Sequence, residues 1–235
     1  MGRLRQARFA LVSLNARVHH RRVAHFLHIG KNAGTALKRA LREAPDSEQY
    51  QLAMHTHGVR MTDLPRGDKF FFIVRDPVDR FTSAFYSRLR QGAPRFHQPW
   101  TEAEARAFAR FRDATSLAAA LADDGEPHDA AVDAMHSIEH VRTSYWDWFG
   151  DPSAFERRSP DVLWIGFTEH LDGQLPDLAA RLGLGALALP SDETAAHRGT
   201  NRDVVLPAEA RDALTAWYAR DYDFVARCRD LSVRL

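Results

Sequence analysis

Two short segments of this chain carry residue types that can grip an anion. The first is His28-Ile29-Gly30-Lys31-Asn32-Ala33-Gly34-Thr35. Its two glycines let the backbone fold tightly, so that N–H groups converge on one anion. Lys31 adds a full positive charge and Thr35 a hydroxyl donor. A helix starting at Thr35 contributes the partial positive charge of its N-terminus. A phosphate group has the charge and the acceptor count that such a loop suits. In the Walker A loop, GxxxxGK[ST], the lysine follows the second glycine and precedes a metal-binding hydroxyl. Here Lys31 directly follows the first glycine, and no downstream Asp stands obviously at a strand end to hold a metal. A plain strand–helix turn would read similarly, so the loop needs a partner site.

The second segment, Phe71-Phe72-Ile73-Val74-Arg75-Asp76-Pro77-Val78-Asp79-Arg80-Phe81-Thr82-Ser83-Ala84-Phe85-Tyr86, supplies one. Arg75 stands where an apolar strand ends, which is where ligands gather in open parallel sheets. A guanidinium can hold a phosphate through two parallel hydrogen bonds. Ser83 lies eight residues on, two turns along a helix, and can donate to the same anion. The competing reading pairs Arg75 with Asp76 or Asp79 and leaves Ser83 as an ordinary helix residue. Between the two segments stand His55 and His57. A histidine titrates close to working pH and suits a general base. A surface histidine pair in a loop is the alternative.

Regular elements must carry these groups. Ala24–Ile29 and Lys69–Val74 read as buried strands, and Val162–Phe167 as a third. Thr35–Glu43 has helical spacing, and Pro77 suits the first turn of a helix over Val78–Arg90. Gly92–Trp100 is a loop, and Thr101–Phe149 is dominated by helical patterns broken near Asp124–Pro127. Leu175–Leu182 after Gly173 and Pro207–Leu231 read as helices, with polar, irregular Pro190–Asp203 between them. The order predicts an α/β fold, a P-loop-like and mainly parallel sheet flanked by helices. We divide the chain into a basic arm over 1–23 and one domain over 24–235, with residues 94–150 as a helical insertion or lid. Its 235 residues, 45% hydrophobic and 27% charged, fit one sizeable globular core.

At this level the chain resembles the PAPS-dependent sulfotransferases, closest to the carbohydrate type and its bacterial relatives. HIGKNAGT followed by VRDPVDRFTSAFYS resembles the family's two signatures for PAPS, 3′-phosphoadenosine 5′-phosphosulfate. Ile165-Gly166-Phe167-Thr168-Glu169-His170-Leu171-Asp172 resembles a later strand-to-helix stretch. His197–Asn201 and the helix ending Trp217-Tyr218-Ala219-Arg220-Asp221-Tyr222 resemble the family's C-terminal end. The likeness runs in order over Ala24–Asp230. It implies that Gly30, Lys31, Asn32, Ala33, Gly34, Thr35 and Ala36 bind the 5′-phosphosulfate and that Arg75 and Ser83 bind the 3′-phosphate. Threonine is common in the family at the position of Asn32, whose amide is expected to donate to an oxyanion as well. Lys31 would neutralise charge on the departing PAP. His57, which precedes Gly58, matches the family's catalytic histidine better than His55. The implied chemistry is in-line transfer of a sulfuryl group to a hydroxyl or amine without a metal. A small-molecule P-loop kinase and a non-catalytic PAP-binding module are the alternatives.

Other residues have plainer readings. Cys228 is the single cysteine, so no internal disulfide and no cysteine-built zinc site can form. His136 and His140 have i, i+4 spacing in an expected helix but lack a third ligand. The aromatics Tyr145-Trp146-Asp147-Trp148-Phe149, like Trp164 and Phe167, read as core. A net charge of +1 argues against a nucleic-acid partner. The apolar stretch Phe9–Leu14 is interrupted by Ser13 and too short for a signal-peptide core or a span, so a cytoplasmic location is expected. The arginines of the arm allow at most a weak attraction to an anionic membrane surface. The expected acceptor is a saccharide, glycolipid or small metabolite.

Overall fold

Lys69–Val74, the strongest strand signal, is the third of four parallel strands in a computed structural model, which describes residues 9, 11–16, 18–94, 96–190 and 204–235. The strands are β1 (Arg22–Leu27), β2 (Tyr50–Met54), β3 (Lys69–Val74) and β4 (Val162–Phe167), in the spatial order β2-β1-β3-β4. Phe26 of β1 lies opposite Met54 on one side and Phe71 on the other, and Phe71 in turn lies opposite Trp164. Strands β1, β3 and β4 are apolar almost throughout because helices cover both faces of the sheet. On one face Phe71, Ile73 and Trp164 meet Leu37 and Leu41 of α1 (Gly34–Glu43) and Leu175 and Leu178 of α8 (Leu171–Leu182). On the other, Phe70, Phe72 and Ile165 meet Trp148 and Phe149 of α6 (Trp146–Phe149), Phe155 of α7 (Pro152–Arg158) and Phe224 of α10 (Ala219–Ser232). A register shift at Phe70/Phe71 sets Val162 and Trp164 against successive β3 residues, so β4 keeps its apolar side chains on both faces.

The chain forms two compact units. One comprises Met1–Val74, Tyr145–His197 and Phe224–Leu235, and contains the sheet. The other comprises Arg75–Ser144 and Arg198–Asp223. The second unit is helical: α2 (Pro77–Leu89), α3 (Glu102–Arg110), α4 (Ala114–Ala120), α5 (Glu126–Ser137) and α9 (Ala208–Trp217). Phe81, Phe85, Phe108, Leu117, Met135, Leu214 and Tyr218 form its core. Within it lies an ion pair: Arg88 Nε and Nη2 donate to the two oxygens of Glu104 at 2.7 and 2.8 Å. Their side chains are 3% and 2% exposed. Burial acts to raise the Glu104 carboxyl. Hydrogen bonds from Arg88 and from the Thr101 and Glu139 N–H groups outweigh it, and leave the group lowered to about 2.

The sequence reading differs from the fold in several places. Strand β2 was not read at all: it is five residues long and includes the polar Gln51. Helix α8 begins at Leu171, before Gly173, and runs through Pro176. Its apolar face of Leu171, Leu175, Leu178 and Leu182 outweighs both breakers. The final helix is two, parted at Tyr218, whose buried phenol donates to Val141 O at 3.0 Å. His140 lies beyond the end of α5 at φ 65°, so it shares no helix face with His136. Of the arm over 1–23, Phe9 and Ala16 are buried and Arg22 and Val23 belong to β1. Residues 1–8 lie outside the described residues, as do 191–203 of the irregular stretch, with the His197–Asn201 match.

Candidate functional site

Strand β1 ends at Leu27 and α1 starts at Gly34, so the first anion-gripping segment is the connection between them. Its backbone is unusual. Lys31 (φ 68°) and Ala33 (φ 56°) are both left-handed, with Asn32 between them. Such a conformation costs a non-glycine residue on the order of 1–3 kcal/mol and persists only where its surroundings impose it. Alternation of hand along a short stretch turns successive N–H groups toward one side, as in anion-binding nests. Helix α1 follows with Ala33 as its N-cap, no capping side chain and no acidic residue in its first turn. Its first turn therefore presents N–H groups that no side chain of the helix start satisfies. Helices α2, α3 and α4 are capped by Asp76, Thr101 and Asp113, while α5, α8 and α9 share with α1 the lack of a capping side chain.

The side chains of the segment divide. Lys31, Ala33 and Thr35 are half-buried, while Gly30, Asn32, Gly34 and Ala36 are buried. Ala36 is a core residue of α1, so it can offer a ligand only its N–H. Asn32 overturns one expectation. Its amide does not face outward to donate to an oxyanion: Nδ2 donates to Ile73 O at 2.7 Å and to the Tyr145 hydroxyl at 3.2 Å. Gly34 has a steric reason to be glycine, since a Cβ there would overlap the imidazole of His28.

His28, quoted in the motif but given no role, is thereby a structural part of the loop. Its ring lies 4.0 Å from that of His57, centroid to centroid, and stacks on Phe26 on another side. His57 itself is exposed. Its Nδ1 lies 3.0 Å from His28 O. A carbonyl only accepts, so Nδ1 carries the hydrogen, and in the neutral ring the lone pair sits on Nε2. Trp148 Nε1 donates to His57 O at 2.9 Å and holds the backbone beneath it. This is the tautomer and support that a general base needs.

His55 is placed differently. It is buried in a chain in which Asp68 Oδ2 lies 3.0 Å from His25 Nε2, and His25 Nδ1 lies 2.8 Å from His55 Nε2. Phe9 packs edge-on against both rings. With Asp68 ionised, its carboxylate fixes the hydrogen of His25 on Nε2, and His25 then accepts from His55. The pair is part of the packed interior.

In the helical unit, Arg75 is half-buried immediately after β3, and Ser83 is half-buried in α2. Asp76 is heavily engaged. Its Oδ1 accepts from Val78 N and Asp79 N at 3.0 and 3.1 Å, capping α2, while Oδ2 accepts from the Tyr222 hydroxyl at 2.9 Å. Burial, then the charge and hydrogen bond of Asp76, push the Tyr222 phenol up to about 12. Asp79 stands 4.0 Å from Arg211. Tyr222 stands in the C-terminal family match without a role, because a tyrosine far along the chain gives no sign of holding the capping residue of a distant helix.

The family model for the sulfotransferase family matches residues 15–224, which is most of the chain and includes both anion-gripping segments. The chain belongs to the sulfotransferase family. No curated protein and no solved structure gave a significant match. Family membership makes this protein a transferase of the sulfotransfer type. In this sulfotransferase the aromatics Tyr145, Trp146, Trp148 and Phe149 are core, as are Trp164 and Phe167. Cys228 is buried, and burial pushes its thiol well up, away from nucleophilic use. Among the described residues no three His, Cys, Asp or Glu side chains group as a metal site, and no helix is long and apolar enough to cross a membrane.

Proposed function

We propose that this sulfotransferase moves a sulfuryl group from PAPS to a hydroxyl or amine of an acceptor, a saccharide, glycolipid or small metabolite. The observation that carries the reading is the α1 start, with two left-handed residues and no capping side chain, in a chain of this family. Its N–H groups and Lys31 suit the 5′-phosphosulfate, and Arg75 with Ser83 is assigned the 3′-phosphate. PAPS supplies the sulfuryl group and leaves as PAP. Lys31 neutralises the charge that gathers on the departing phosphate oxygen. The Nε2 lone pair of His57 takes the acceptor's proton as the new S–O or S–N bond forms. The reading is of a cytoplasmic reaction without a metal. The basic arm offers at most weak contact with a membrane surface, and no nucleic-acid partner is proposed.

The test compares ligands that differ in the 3′-phosphate. A ligand that binds only the folded protein raises its melting temperature in proportion to RT ln(1 + [L]/Kd). PAP is expected to stabilise the protein more than ADP at equal concentration, and Arg75→Ala is expected to remove that preference. No preference in the unsubstituted protein would refute the donor assignment. Transfer of labelled phosphate from ATP with magnesium, in place of labelled sulfate from PAPS, would make the protein a kinase.

A further inference from the structure

The buried amide of Asn32 has a role that no ligand contact explains. Asn32 is 1% exposed and stands between the two left-handed residues Lys31 and Ala33. Its Nδ2 donates to Ile73 O, on the neighbouring strand β3, at 2.7 Å. The same nitrogen donates to Tyr145 Oη at 3.2 Å, and that hydroxyl lies 3.4 Å from Asn32 Oδ1. Tyr145 is fully buried and stacks on Phe224, with centroids 5.1 Å apart and planes 21° from parallel. The side chain of Asn32 thus ties the middle of the loop to the sheet and to one rigid core aromatic.

Both of its flanking residues hold conformations that the chain avoids unless held there. We infer that Asn32 is a positioning residue: its clasp on Ile73 O and Tyr145 imposes the left-handed turns at Lys31 and Ala33. In doing so it aims the loop N–H groups at the 5′-phosphate before any ligand arrives. A site whose donors are already oriented does not give up binding free energy to order them. A threonine at this position has no amide and is one atom shorter, so the clasp is a property of this chain's asparagine. Tyr145 becomes its second half.

This inference rests on the donor reading for the identity of the ligand, and the experiment separates the two. Affinities of PAP, 3′-AMP and 5′-AMP are measured by calorimetry for the unsubstituted protein, Asn32→Ala and Tyr145→Phe. The 5′-phosphate increment is the ratio of PAP to 3′-AMP affinity, and the 3′-phosphate increment is the ratio of PAP to 5′-AMP affinity. Losing the clasp is expected to lower the 5′ increment about 10-fold in Asn32→Ala, the size of one hydrogen bond's effect, and by less in Tyr145→Phe. The 3′ increment is expected to stay as it was. A uniform fall across all three ligands, or an unchanged 5′ increment, would overturn the role. Tyr145→Phe keeps the stacked ring, so it serves where Asn32→Ala does not fold. If the unsubstituted protein shows no 3′ increment, the donor reading fails, and the clasp is read instead from 5′-AMP against adenosine.

Discussion

Removing the charge of Glu104 while keeping its shape, as Glu104→Gln, tests the energetics of the helical unit. The carboxyl is held at about 2 against an ordinary 4.5. At about 1.4 kcal/mol for each pH unit of difference, that gap is worth about 3 kcal/mol of folding free energy. The sign follows from the folded value lying below the unfolded one. The contribution is complete above pH 4.5 and is lost as pH falls toward 2. At neutral pH the glutamine takes away the nearer counter-charge of the Arg88 guanidinium, 3% exposed; Glu139 remains at 3.9 Å, and Gln98 O and Pro99 O still accept from it. Removing one partner of a buried pair costs roughly 3–5 kcal/mol, in line with the value from the acid shift. Urea unfolding at neutral pH is the assay, repeated down to about pH 3 where part of the Glu104 contribution has gone. The unsubstituted protein is expected to weaken on acidification more steeply than Glu104→Gln. The double variant Arg88→Met with Glu104→Leu is expected to recover most of the loss, because an apolar pair needs no desolvated charge. A single-variant cost below about 1 kcal/mol, the range of exposed pairs, would refute the reasoning. So would a double variant no more stable than the single one.

Gly34→Ala would drive a Cβ into the ring of His28, itself confined by Phe26 and His57. We expect a stability loss of about 1–3 kcal/mol in chemical denaturation and weaker PAP binding, and an unchanged protein would contradict the packing. His57→Gln is expected to lower turnover at saturating acceptor by about 10²–10⁴-fold while leaving PAP affinity in place. Intact turnover would remove His57 as the base. Tyr222→Phe should lose about 0.5–1.5 kcal/mol, the net worth of its bond to Asp76. Because the phenol is raised from 10.0 to about 12, its contribution holds below pH 10 and fades as pH rises through 12. An ultraviolet titration of the variant should then lack the latest-ionising of the accessible tyrosines.

The parts of this fold legible in the sequence are those whose signal is local. Lys69–Val74 and Val162–Phe167 are strands at the bounds read for them, because uninterrupted apolar runs are what a two-sided parallel sheet requires. Pro77 marks the first turn of α2, and Gly125, at φ 66°, the break before α5. The anion loop was legible as a segment joining β1 to α1, but the direction of its side chains was not. Asn32 turns inward because Ile73 O and Tyr145, distant in the chain, offer it partners. His55 and His57 stand two residues apart, and one enters the interior while the other stays at the surface. The positions of His25, Asp68, His28 and Trp148 bear on that, and each contact spans many residues of sequence. Strand β2 fell below notice for a related reason: its five residues gain their meaning from the register with β1.

The chain Asp68–His25–His55 reaches the surface at its carboxylate. His25 and His55 are 1% and 3% exposed, whereas the Asp68 side chain is 23% exposed. Ring hydrogens shared along such a chain can trade with water through the carboxylate end or by local opening around the two rings, against which Phe9 packs. Their exchange therefore reports how often water reaches the interior around the two rings. In a proton magnetic-resonance spectrum they would stand far downfield of the amides, as sharp signals countable without labelling. Ligand titrations could be watched on those signals, from a spot that makes no claim on the ligand itself.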